Sequence, residues 1–417
     1  MKRYIIFIVF LTLFLTLSLA ACAENNKAQQ PVTEESAFIA EELADAPVED
    51  EDNYQIVIYT ADDMYDEYYF NTKAALKKCS TNALHETILT KDNNEQYTEL
   101  LAENRELLKN FKIKAIIIEN LAPGLRNLFA QIRELRPDVS LIVLDSSDRD
   151  IIDIFDTVDI FLCMDILSIG KKMLEQAHSM GSDTFVYYTV TNRPEWLIPF
   201  AEPEQYKELC KQTCSSLKMK YIEEEVDGMS PMLMFDADVL EKITKYGDRT
   251  SFFVDSCLYQ GSLIRSVFLN KGGLYVQPCH PSLYHRFIEI PGFYYAENML
   301  ELATAPEQFD YARLVEFDNA IKHIETTLTE QGFIGSFATW KVPFALIAIT
   351  AAMEYAKGYC EGEISGTNNL QAMRQCFQKG LEIYNSADTG FEITQHPEYP
   401  NCFLFMEDYI VLQGNRE

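Results

Sequence analysis

The stretch DIFLCMDILSIGKKMLEQAHSMGSDTFVYYTVTNR, Asp159 to Arg193, decides how this chain is read. Ile160–Met164 is a short apolar run, as expected of a strand covered on both faces. Leu167–Met180 carries Ile169, Met173, Leu174 and Ala177 at helical spacing. Gly181 stands where a left-handed helix cap is wanted. Thr184–Val190 then reads as another strand. The same strand–helix alternation continues on both sides, so this stretch is a hinge candidate between two similar sheets. Two sheets joined by short crossovers leave a cleft, and clefts are where small molecules bind.

Upstream, strands are expected at Gln55–Thr60, Glu86–Thr90, Ile113–Glu119 and Leu141–Asp145, with helices near 65–79, 96–109 and 124–136. Downstream, Thr184–Val190 is followed by strands at Tyr221–Val226, Ser251–Val254 and Leu274–Gln277, with helices near 202–217, 236–246 and 260–271. Alternation of this kind implies right-handed βαβ units and parallel sheets. The last part predicts a helix over 307–329, a strand or crossover at Phe333–Phe337 and a helix over Val342–Gly358. A helix near 367–384 and one strand-like run at Phe403–Leu412 follow, packing back across the lobes. The fold class is therefore α/β, two Rossmann-like lobes with parallel sheets and a hinge. The expected divisions are 54–165 and 166–306 for the lobes and 307–417 for the returning tail.

The chain has 417 residues, 47% of them apolar, which is enough for two or three cores. Its formal charge of −29 argues against nucleic-acid binding, which needs a basic footprint. Lys2 and Arg3 precede an uncharged run, Tyr4 to Leu19, ending in Leu19-Ala20-Ala21-Cys22. A basic start, an apolar core and small residues before a cysteine form an export signal over 1–22, with Cys22 as the acylated residue. The run is short for a span of about 20 residues, so an uncleaved anchor is the weaker reading. Residues 23–53 are acid-rich, with Lys27 as their only base, and read as a solvated tether. Of ten cysteines, setting Cys22 aside leaves nine, an odd number that does not suggest a disulfide scaffold. Cys163 and Cys257 lie in apolar runs where thiols act as small hydrophobes. Cys210 and Cys214, one helical turn apart, read as packing before a disulfide or metal pair.

In open parallel sheets, ligands sit outside the carboxyl ends of the strands. That rule selects the loops Thr60–Asp63, Lys91–Asn94, Glu119–Leu121 and Asp145–Arg149 in the first lobe. In the second it selects Thr191–Trp196, Asp227–Ser230, Asp255–Gln260 and Pro278–His285. The candidate ligand-binding residues are Asp62, Asn120, Ser146, Arg193, Trp196, Asp255, Gln260, Gln277 and His280. Arg193 offers a fork of donors for a carboxylate or phosphate. Trp196 offers a face for a ring. Cys279 beside His280 and His285 could make a nucleophile–base pair or part of a metal site, but neither a third orienting group nor further ligands can be identified. Phosphate-binding glycine patterns and the common hydrolase motifs are absent. No cofactor is called for, and no enzyme activity is expected.

Four pieces of the sequence resemble one family. They are the Leu19–Cys22 lipobox, Met180-Gly181-Ser182-Asp183-Thr184-Phe185-Val186-Tyr187-Tyr188, Tyr275-Val276-Gln277-Pro278-Cys279-His280-Pro281-Ser282-Leu283-Tyr284-His285, and Ala338-Thr339-Trp340-Lys341-Val342-Pro343 leading into Glu354-Tyr355-Ala356. Together they resemble an uncharacterised family of bacterial lipoproteins with a periplasmic-binding-protein-like fold, over roughly 54–412. That fold is similar to type I solute-binding proteins and to the sugar-responsive domains of LacI-type repressors. The resemblance implies two Rossmann-like lobes and a hinge, and supplies no ligand. The combined expectation is an extracellular protein held to the cell membrane by palmitate-type lipid on Cys22, binding a small polar solute for an ABC-type importer. A surface sensor with a signalling partner is the alternative, and an enzyme using the Cys279/His285 loop a more distant one.

Overall fold

Strand-like apolar runs separated by amphipathic helices build two sheets in this chain. The computed structural model describes residues 54–61, 67–79, 83–88, 109–119, 125–144, 155–192, 203–228, 235–277, 316–365 and 369–414. In chain order these begin with β1 (Gln55–Ala61), α1 (Glu67–Lys78), β2 (Ala83–Ile88), β3 (Ile113–Glu119), α2 (Leu125–Leu135), β4 (Ser140–Leu144) and β5 (Ile160–Met164). Next come α3 (Ile166–Ser179), β6 (Thr184–Thr191), α4 (Pro203–Ser216), β7 (Lys220–Asp227), α5 (Phe235–Tyr246), β8 (Thr250–Val254), α6 (Cys257–Leu269) and β9 (Leu274–Val276). The tail gives α7 (Phe317–Glu330), β10 (Ser336–Trp340), α8 (Phe344–Cys360), α9 (Leu370–Ile383), β11 (Phe391–Gln395), β12 (Cys402–Glu407) and β13 (Tyr409–Gln413).

Local chemistry fixes both ends of α3. Asp165 Oδ1 accepts from the Ser168 amide at 3.0 Å, satisfying an orphan donor of the first turn. At the other end Gly181 adopts φ 97°. Its amide donates to His178 O, and the Ser182 amide donates to Ala177 O, both at 2.9 Å. This is the Schellman pattern, and it needs a residue without a Cβ penalty in the left-handed region. The helix therefore stops where Thr184 can enter a new sheet.

The first sheet runs β11-β12-β5-β4-β3-β1-β2 and the second β13-β10-β9-β8-β6-β7. Their interiors are parallel; β11 and β13, each at one edge of its sheet, run antiparallel to β12 and β10. Two-sided burial explains the continuous apolar runs. On β1, Ile56 and Ile58 enter the large core, while Val57 and Tyr59 enter a second core on the opposite face with Phe129 of α2. The large core continues without a break into the second sheet. The outer strand β7 is half-exposed and keeps its edge charged: Lys207 pairs with Glu223 at 2.8 Å and Lys242 with Glu224 at 2.7 Å.

α8 is buried almost all round, as a helix apolar on every side must be. It lies between the first sheet, α1 and α9. No helix among the described residues is long and apolar enough to cross a membrane.

The tail departs from its sequence reading in three places. Phe403–Leu412 is not one strand. Glu407 is the last residue of β12 in the first sheet, and Asp408 alone separates it from β13 in the second. The β10 strand starts at Ser336 rather than Phe333. Phe333 is instead buried as a packing residue, its ring stacked on Phe337 at 4.8 Å. Gly335 passes so close to the second sheet that a Cβ there would lie 2.0 Å from Gly273 O. β11 was not anticipated, because only Ile393 of its five residues is fully buried. The helix expected near 96–109 lies almost wholly outside the described residues.

Candidate functional site

Three crossings join the sheets, and each leaves from the carboxyl end of a strand. β5 ends at Met164 and, after Asp165, becomes α3, which packs on β9 and α4 of the second lobe. β10 ends at Trp340, and Lys341–Pro343 carry the chain to α8 on the first sheet. β12 ends at Glu407, and Asp408 leads into β13, where Tyr409 pairs with Trp340. One intervening residue spans only about 7 Å. The carboxyl ends of β12 and β10 therefore abut.

A buried carboxylate fastens this junction. Glu407 Oε1 accepts from the amides of Lys341 at 2.9 Å and Val342 at 3.1 Å, so the third crossing clasps the second. Lys172 of α3, just beyond the first crossing, places Nζ 2.5 Å from Asp408 Oδ1. Burial pushes the Glu407 carboxyl up to about 8, against the lowering effect of the two amides and of Lys172. Phe405, on the same face of β12 as Glu407, stacks on Phe377 at 4.4 Å and meets the edge of Trp340 at 6.1 Å.

Of the nine nominated residues, Asp255, Gln260 and Gln277 fall among the described ones, and all three are buried at the carboxyl rim of the second sheet. Asp255 Oδ1 accepts from the Val190 amide at 2.9 Å. Gln260 Nε2 donates to Val254 O at 2.5 Å, and its Oε1 accepts from Tyr275 Oη at 2.5 Å. Gln277 Oε1 accepts from Thr339 Oγ1, and its backbone carbonyl accepts from Tyr409 Oη at 3.0 Å. These bonds hold the strand ends in register. Asp62, Asn120, Ser146, Arg193, Trp196 and His280 lie outside the described residues, as do Cys279, His285 and Cys22.

Two residues at the junction were not nominated. Trp340 Nε1 and Glu407 Oε2 are both buried without a hydrogen-bond partner. The available signal was weak: Trp340 appeared only within a family-like motif, and Glu407 was the single acid in Phe403–Glu407. Ser256 Oγ, before α6, is likewise buried and unpartnered. An open depression of about 320 Å³ lies beside β13, lined in part by Ile321, Lys341, Asp388 and Asp408. Its lysine is already paired with Asp318 at 3.0 Å.

The described thiols other than the half-buried Cys360 act as core. Cys210 and Cys214 are fully buried, and burial holds both well above the ordinary thiol range. Cys163 and Cys402 sulfurs lie 3.7 Å apart on neighbouring parallel strands. Their register is offset by two residues, which puts the α-carbons about 8 Å apart, too far for a disulfide. Among the described residues no group of three or more His, Cys, Asp or Glu could hold a metal ion.

Two parallel-centred lobes crossing three times at their carboxyl ends define a periplasmic-binding-protein-like fold. Residues 50–332, more than half of the chain, match the family described as "Protein of unknown function (DUF3798)", and the chain belongs to that family. A protein of Treponema pallidum (strain Nichols), described as uncharacterized, is 25% identical over 177 residues, 41% of this chain and 79% of its own length. A crystal structure from Clostridium difficile 630, whose name suggests a transcriptional regulator, superposes with a TM-score of 0.68 at 13% identity, covering 86% of this chain and 99% of that one. A sugar ABC transporter structure from Actinomyces odontolyticus ATCC 17982 has a TM-score of 0.49 at 9% identity, covering 86% and 95%. The first of these likenesses shows the fold.

Proposed function

We propose that this protein binds a small polar solute in the gap between its lobes, held at the extracellular face of the membrane by lipid on Cys22, and hands the solute to an ABC-type importer. The observation that carries this reading is the set of three crossings, each leaving a strand's carboxyl end and none longer than three residues. That connectivity lets two sheets rock about one edge while their strand termini, where backbone and loop polar groups collect, face a shared guest. The acidic surface and the short apolar run before Cys22 support an exported, lipid-held protein rather than a nucleic-acid binder. Binding without chemistry suits a rim whose described carboxylate and amides, Asp255, Gln260 and Gln277, are engaged with the sheet.

A panel of sugars, polyols, amino acids, nucleosides and carboxylates tests it through thermal melting. One class at a hundredfold excess over its dissociation constant should stabilise the protein by about 2.7 kcal/mol. A melting temperature unmoved by every class would remove the reading.

A further inference from the structure

Three buried polar atoms at the junction of the lobes lack a hydrogen-bond partner within the chain, and one of them, Lys172 Nζ, is ion-paired with Asp408. The other two, Trp340 Nε1 and Glu407 Oε2, have no such partner, although Trp340 is 8% and Glu407 0% exposed. Buried polar atoms in folded proteins are nearly always satisfied, so a partner from outside the protein is implied. The two belong to one place. Glu407 Oε1 binds the amide of Lys341, the residue next to Trp340. The Trp340 ring meets Phe405, which shares a face of β12 with Glu407. They also come from different lobes, Trp340 from the second sheet and Glu407 from the first.

Resting on the solute-binding reading above, we propose that Trp340 and Glu407 form a hydroxyl-binding pair at the hinge end of the cleft, and that the solute is a neutral, polyhydroxylated molecule. The indole can only donate. The second carboxyl oxygen accepts when ionised and donates when protonated. A hydroxyl answers both atoms in either state, since it donates one hydrogen and accepts through two lone pairs. A carboxylate on the solute would suit Trp340 and a protonated Glu407 but would be repelled once Glu407 ionises, so it does not serve in both states. An ammonium would suit Glu407 but has no lone pair for the indole. A solute hydroxyl held by this pair ties the two lobes together at the point about which they turn.

The test is calorimetric titration of the wild-type chain, Trp340→Phe and Glu407→Gln with D-ribose, D-xylose, D-glucose, D-galactose and myo-inositol. Trp340→Phe removes the donor and keeps an aromatic ring; Glu407→Gln keeps an acceptor for the two crossing amides. Their unliganded melting checks that both fold. The wild type should bind at least one probe, and each variant should bind it about tenfold or more weakly, the loss expected for one buried hydrogen bond. Equal affinity in wild type and both variants would overturn the pair and assign the two atoms to an ordered water, while leaving solute binding intact. A wild type that binds none of these probes would overturn the polyhydroxylated class. Stabilisation by another member of the broader panel would then show that solute binding itself survives.

Discussion

Phe405→Ala should destabilise the protein by about 3 to 5 kcal/mol, the cost of emptying a large buried aromatic site. Phe405 is 1% exposed and joins elements that are distant in sequence. Its ring stacks on Phe377 of α9 at 4.4 Å, lies 6.1 Å from Phe344 at the start of α8, 5.9 Å from Phe391 of β11, and 6.1 Å from Trp340 of the other sheet. Each such ring pair adds to simple burial by about 0.5 to 1.5 kcal/mol. No single neighbour can collapse into the space, because those rings are held by separate elements. Chemical denaturation of the variant beside wild type measures the effect. A loss below about 1 kcal/mol would mean that the lobes do not share this core.

Glu407 should make the protein less stable as pH rises from about 4.5 toward 8. Its carboxyl would ordinarily titrate near 4.5, and burial lifts it to about 8 in the fold. Between these values the folded chain holds a proton that the unfolded chain has released, so stability falls with rising pH and levels off above the window. The groups facing the carboxyl are the Lys341 and Val342 amides, Lys172 of α3 and Asp408. The first three favour the ionised form, and Asp408 opposes it. The total change is up to about 5 kcal/mol, at about 1.4 kcal/mol for each pH unit between the two values. Glu407→Gln should match wild type near pH 5, exceed it near pH 9, and lack this part of the slope. Parallel pH profiles for the two proteins would show that the carboxyl is ionised in the fold at neutral pH.

The central fold was legible because its signals are local. The strand at Ile160–Met164 and the Gly181 cap need no distant partner to be recognised, and the apolar period of α3 is complete within fourteen residues. The edges were harder. β11 alternates partly exposed residues over a short run, and β12 and β13 are divided by one aspartate inside an otherwise apolar sequence. Nothing in a local pattern says that Asp408 moves the chain from one sheet to the other. The Trp340–Glu407 pair was illegible for the same reason: its members are separated by 67 positions, as Lys341 and Glu407 are by 66, and only the third crossing brings them together. Gln277 and Gln260 were nominated because they follow strands. Folding shows a reason for polar residues there that needs no ligand: each ties neighbouring strand ends together.

Native mass spectrometry of the full chain purified from its own host tests the central claim most directly. The mature protein should carry acyl mass on Cys22 and a small polar molecule that leaves on unfolding. A chain that flies bare from several preparations, with neither lipid nor guest, would contradict it.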